Sequence, residues 1–124
     1  MADRAARVMD GALDMMSGLE KIRGRFLDLL VTRQQSIAHH AVLAYEGQTL
    51  DEVNGNLAAA RDILHQIAGT AGSLGFDDLG HAARSCENDI VAHLTGPDND
   101  LALCPDALLV QIDDFVEQCK GLLH

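Results

Sequence analysis

"TLDEVNGNLAAARDILHQIAGTAGSLGF", residues 49–76, holds the pattern on which the fold turns. Thr49 is followed three residues later by Glu52, the pairing of a capping box, in which each side chain satisfies a free N–H at a helix start. Val53, Leu57, Ala60, Leu64, Ile67, Ala71 and Leu74 then recur at spacings of three and four. That spacing draws one apolar stripe along a long amphipathic helix. Gly75 is expected to end it. Inside the same helix stand Gly69 and Gly72, each costing about 1 kcal/mol relative to alanine, and a single histidine, His65.

Outward from this helix the chain repeats the pattern. A first helix is expected from about Asp3 to Met16, with Ala5, Val8, Ala12 and Met15/Met16 on one side. A second runs from about Glu20 to Tyr45 on the stripe Phe26, Leu30, Ile37, Ala41 and Ala44, and Gly47 breaks it. After Gly75 a fourth helix opens at Phe76-Asp77, with Asp77 as its N-cap and Leu79, Ala83, Cys86, Ile90 and Leu94 as its stripe. "TGPDND", residues 95–100, is a loop by its turn residues. Pro105 fits the first turn of a fifth helix carrying Leu108, Ile112, Phe115, Cys119 and Leu122. No segment reads as a strand. The expected fold is all-α: an antiparallel four-helix bundle over residues 20–124 with an additional short N-terminal helix, residues 1–19, capping one end. The 124 residues form a single domain in this reading.

The formal net charge is −10. A surface this acidic repels nucleic acid and anionic lipid, so the expected partner is a protein, with no nucleic acid and no membrane. No apolar run approaches the roughly 18 residues of a membrane span. Charges in "MADRAARVMDGALDMMSGLEKIR" interrupt what a signal peptide needs as a continuous apolar stretch, which makes the expected location cytoplasmic. Cys86, Cys104 and Cys119 form no C-x-x-C pair. They are expected to be buried thiols acting as small hydrophobes, with neither a zinc site nor a disulfide framework.

His65 lies about 120° around the helix from the centre of the apolar stripe, on the solvent side. Ala58, Arg61, Ala68, Gly69 and Gly72 are expected within about 60° of it, a face almost bare of side chains except for Arg61 and Asp62. Glycines at +4 and +7 weaken the helix with no evident gain in packing. A local rule broken at one place is where function is expected. An exposed imidazole acts as a base, a ligand or a nucleophile. No Ser or Cys stands beside it for a triad, and no second histidine at +4 for a helical metal site. What remains is a nucleophile presented to a docking protein. A lone helical histidine is otherwise an ordinary solvated residue.

The stretch His65-Gln66-Ile67-Ala68-Gly69, then Thr70 to Leu74, then Gly75, resembles the signature of histidine-containing phosphotransfer (HPt) domains of multistep phosphorelays. That signature is His, any residue, Leu, Lys, Gly, five residues and Gly. "LGHAARSCE", residues 79–87, resembles the family's next helix, with Leu79, Ala82, Ala83 and Glu87 in fitting places, and "GRFLDLL", residues 24–30, the start of its preceding long helix. The likeness covers about residues 22–122. It implies a phosphocarrier with no kinase activity of its own and no cofactor or metal. His65 is then the phospho-acceptor, using Nε2, and it relays a phosphoryl group between receiver-domain aspartates of response regulators or a hybrid histidine kinase. Monomer is the family norm. One position departs: the family's usual lysine, three residues after the histidine, is Ala68. Arg61, four residues before His65, is a candidate substitute cation, and Arg84 on the next helix a weaker one.

Three other readings compete. A docking protein would use the same bare face without phosphotransfer, and Ala68 favours it. A metal-dependent bundle enzyme would draw on His39, His40, His81, His93 and His124, but His39 and His40 point about 100° apart and no E-x-x-H pair spans the helices. The phospho-acceptor domain of a chemotaxis-type kinase has a similar fold, and no ATP-binding motif is present in this chain. Of the remaining histidines, His40 is expected to be partly buried, and His93 and His124 to sit near helix ends.

Overall fold

A computed structural model describes the backbone of residues 2–124 and the side chains of residues 18–124. Four helices follow one another: α1 (Ala2–Glu46), α2 (Leu50–Ala71), α3 (Asp77–Leu94) and α4 (Asp106–Leu123), with a 3-10 turn, Gly72–Leu74, at the end of α2. Each helix packs on the next, and α4 packs back on α1, which closes a four-helix bundle. The core is the set of stripes expected from spacing. Ile37, Val53, Leu57, Leu64, Ile67, Ile90 and Ile112 are fully excluded from solvent, and Phe26, Leu30, Leu79 and Phe115 nearly so.

Two of the expected helices are one. No break separates residues 2–19 from residues 20–46, because α1 runs unbroken from Ala2 to Glu46. Ser17-Gly18 contains no proline, and one interior glycine costs only about 1 kcal/mol. A helix already propagating on both sides tolerates that cost. The stripe of Ala5, Val8, Ala12 and Met15/Met16 lies outside the residues whose side chains are described. Among the described side chains of α1, the core contacts begin at Phe26, and residues 19–25 are exposed.

The capping box forms with one change of partner. Thr49 Oγ1 accepts from the Glu52 N–H at 3.1 Å, while Glu52 Oε2 accepts from the N–H of Gln48 at 2.8 Å, one residue beyond the usual position. At its other end α2 stops at Ala71, earlier than the stripe implies, and tightens into the 3-10 turn. The Phe76 N–H then donates to Ala71 O at 2.9 Å, and the Gly75 N–H to Gly72 O at 3.2 Å. These two bonds around a left-handed residue make a Schellman motif. Gly75 supplies the left-handed backbone, at φ 88°. Arg23 on α1 seals the end by donating from Nε to Leu74 O at 2.8 Å. Phe76 stacks on Phe26 with ring centroids 5.2 Å apart.

Helix boundaries and one core position differ from expectation elsewhere. Asp77 is the first residue of α3, not its N-cap; Phe76 occupies the cap without a side-chain bond. Pro105 is likewise the N-cap residue of α4, one place before the first turn. Leu122 is exposed, and Val116 takes a core place on α4 instead. The α3–α4 loop is tied to α2 by Asn54, whose amide donates to Asn99 O at 2.6 Å, while the Asn99 amide donates to Leu94 O at 2.9 Å.

Candidate functional site

α2 and α3 form an antiparallel hairpin about Gly75, and this hairpin builds the site. Near its turn the two arms meet tightly at glycines. A Cβ placed on Gly80 would meet the backbone nitrogen of Gly72 at 3.3 Å and Ala71 Cβ at 3.5 Å. Backbones that approach so tightly bring the facing residues of the next two turns within side-chain reach of each other. The first such pair along the groove is Ala68 with Arg84, and the next is His65 with Glu87.

His65 is the exposed residue expected, with 77% of its side chain accessible. It is not alone on its face. Its Nδ1 lies 2.6 Å from Glu87 Oε2 of α3, and Glu87 is largely buried, at 15%. A carboxylate oxygen accepts the bond, so Nδ1 is the donor, and in the neutral ring that leaves the lone pair on Nε2. In its neutral form the ring is thus held in one tautomer, and its exposed side chain leaves the other nitrogen on the solvent side. Helical spacing along α2 alone cannot reveal Glu87, 22 residues away. The hairpin can: His65 stands ten residues before Gly75 and Glu87 twelve after it, which places them opposite each other.

The other site residues fall on either side of that pair. Gly69 is exposed, and a Cβ there would meet nothing within 4 Å, so it leaves open space one turn from the imidazole. Gly72 is exposed as well, with Asp77 Oδ1 the nearest atom to an added Cβ, at 3.9 Å. Ala68 departs from expectation. It is buried at 8% and belongs to the core edge rather than the open face, because α3 drawn in by Gly80 covers it. Arg61 is half-exposed, and its Nε is paired with Asp62 Oδ1 at 3.2 Å. Beside the His65–Glu87 pair runs a groove lined by Ala68, Gly72, Asp77, Gly80, His81 and Arg84.

Away from this site, His40 is half-buried, its Nδ1 2.9 Å from Asn56 Oδ1. Cys86, Cys104 and Cys119 are free and buried, as expected. Among the described residues no three His, Cys, Asp or Glu side chains gather as a metal site requires, and no helix is long and apolar enough to cross a membrane.

An exposed imidazole, tautomerically fixed by a carboxylate and flanked by bare helix surface, is equipped to attack an electrophile carried by another protein. The model of the Hpt domain family matches residues 21–121 of the chain. Neither a curated protein nor a solved structure matches it.

Proposed function

From the chain's membership of the Hpt domain family, the phosphocarrier modules of two-component phosphorelays, we propose that His65 is its phospho-acceptor and relays a phosphoryl group between receiver-domain aspartates. The observation that supports this reading is the bond from exposed His65 through Nδ1 to Glu87, which in the neutral ring would leave Nε2 as the nucleophile. In the forward step the Nε2 lone pair attacks the phosphorus of an aspartyl phosphate. The N–P bond forms as the acyl P–O bond breaks, and the electron pair returns to the aspartate carboxylate. Nδ1 keeps its proton, so the phosphorylated ring is cationic, and the Glu87 carboxylate faces that charge. The return step to a second receiver runs through the same atoms in reverse. No base is needed, because neutral imidazole has no proton on Nε2 to lose. The chain contributes a positioned nucleophile; positioning and charge compensation are what phosphoryl transfer asks of a protein.

The partners in this reading are receiver domains, free or joined to a hybrid histidine kinase, and the domain acts as a monomer in the cytoplasm. Three unpaired cysteines suit a reducing compartment. Gly69 and Gly72 keep the surface low, so that a receiver's phospho-aspartate reaches Nε2.

The test is radiolabel transfer from a panel of purified, phosphorylated receivers. Wild-type protein is expected to take up acid-labile label and His65→Gln none, with unchanged helical circular dichroism, since an exposed side chain contributes little to stability. Label persisting in His65→Gln overturns the assignment. A second reading, receiver binding without transfer, is favoured by Ala68, where the family carries lysine. It predicts a complex with receivers and no label in wild type.

A further inference from the structure

The loss of the lysine at position 68 leaves a question of charge. A phosphoryl group on His65 brings nearly two negative charges to a chain whose formal net charge is already −10. A cation near Nε2 is therefore expected, and α2 offers only Arg61, whose Nε is engaged with Asp62.

α3 offers another. Arg84 lies three residues before Glu87, so the two stand one turn apart on the same face of α3. Ala68 likewise lies one turn from His65 on α2. Because the helices run antiparallel, Arg84 lines the groove at the level of Ala68, one turn from the level of the His65–Glu87 pair. Asp77, the groove's acidic residue, is two turns further away along α3. Arg84 is exposed. The ion pairs among the described residues are Arg61–Asp62, His65–Glu87 and Lys120–Glu117, and none engages Arg84. Ala68 and Arg84 line the same groove, so a guanidinium on α3 has access to the space beside position 68.

We propose that Arg84 binds the phosphoryl group carried by His65, taking across the hairpin the part that a lysine at position 68 would play. A guanidinium pairs with two phosphoryl oxygens at once, which an ammonium does not. In this arrangement α3 supplies both charges that the phosphorylated ring meets. Glu87 faces the cationic imidazole, and Arg84 faces the anionic phosphoryl group.

This inference rests on the phosphocarrier reading, and the experiment separates the two. Phosphoramidate is a small donor that transfers its phosphoryl group to imidazole and leaves as ammonia, so loading from it involves no docking. Loading rate and phosphohistidine lifetime are measured by 31P NMR for wild type, Arg84→Ala, Arg84→Lys, Arg61→Ala and the double variant Ala68→Lys/Arg84→Ala. The expected result is loading slowed roughly three- to fivefold and a shortened lifetime in Arg84→Ala, the size expected of an exposed charge pair. Arg84→Lys restores most of the loss, and so does the lysine at position 68. Arg84→Ala that loads and holds the group like wild type overturns the proposal. So does a loss that neither lysine restores, or a loss confined to Arg61→Ala. Wild type that accepts nothing from phosphoramidate or from any receiver overturns the phosphocarrier reading itself, and this inference with it.

Discussion

Gly80 of α3 and Gly72, the first residue of the 3-10 turn that ends α2, approach until a Cβ on the first would stand 3.3 Å from the backbone nitrogen of the second. The obstacle is backbone, so a side chain at position 80 displaces a helix rather than a rotamer. Gly80→Ala gains about 1 kcal/mol in helix propensity and loses a comparable amount as α3 shifts by a few tenths of an ångström. Its stability should stay near wild type. Gly80→Val overfills the contact and should destabilise by about 1–3 kcal/mol. Both should slow loading of His65, because moving α3 carries Glu87 away from the imidazole. Urea denaturation and phosphoramidate loading, measured side by side, check the two effects separately.

Gly75→Ala should destabilise without touching the nucleophile. Its φ of 88° suits glycine, and an added Cβ would meet Arg23 at 3.2 Å. A left-handed non-glycine residue costs roughly 1–2 kcal/mol. The urea midpoint should fall with an unchanged denaturant slope. A midpoint equal to wild type would show that the Schellman turn tolerates a side chain.

Glu87 should matter through both its shape and its charge. Glu87→Gln still presents an oxygen to the Nδ1 proton, so it keeps the tautomer and loses only the charge. Glu87→Ala loses both. Loading is expected to fall in the order wild type, Gln, Ala, by roughly three- to tenfold overall for a part-exposed charged hydrogen bond. The nitrogen-15 shifts of the ring report the tautomer directly. A mixed tautomer in Glu87→Ala and a single one in Glu87→Gln is the expected pair of results.

Gly69 should serve access rather than backbone conformation. Open space surrounds the position of its missing Cβ, so Gly69→Ala should fold with unchanged or slightly higher stability. Gly69→Gln should also fold, yet load from a phosphorylated receiver far more slowly than from phosphoramidate. Equal slowing with both donors would mean that the glutamine disturbs the imidazole rather than the docking surface.

The thiols should be inert in the folded state. Burial, with a smaller contribution from the charge of Asp89, pushes Cys86 from the ordinary 9.0 up to about 12, and burial does the same for Cys119. Both stay protonated near neutral pH, and a thiol-specific reagent at pH 8 should modify them only after unfolding. The folded state then holds protons that the unfolded chain releases above pH 9.0. Stability should therefore fall as the pH rises from 9.0 toward about 12. Urea midpoints at pH 8 and about pH 10.5 test the sign.

Much of this molecule was legible along a single strand of sequence. Spacings of three and four placed Val53, Leu57, Leu64, Ile67 and Ile112 in the core, since a helix's own 3.6-residue period decides which residues share a face. Thr49, Gly75 and the exposure of His65 followed from equally local rules. Local rules misplaced the N-terminal boundary, because a helix already running through Ser17-Gly18 has no reason to stop there. They also put Ala68 on the open face, because that judgement treated α2 as a helix in isolation. Only the packing of α3 against α2 buries Ala68, brings Glu87 to Nδ1 and aligns Arg84 with the groove. The periodicity of one helix says which way a residue faces; what it then meets depends on how closely the neighbouring helix can approach, and here two backbones meeting at Gly72 and Gly80 set that distance.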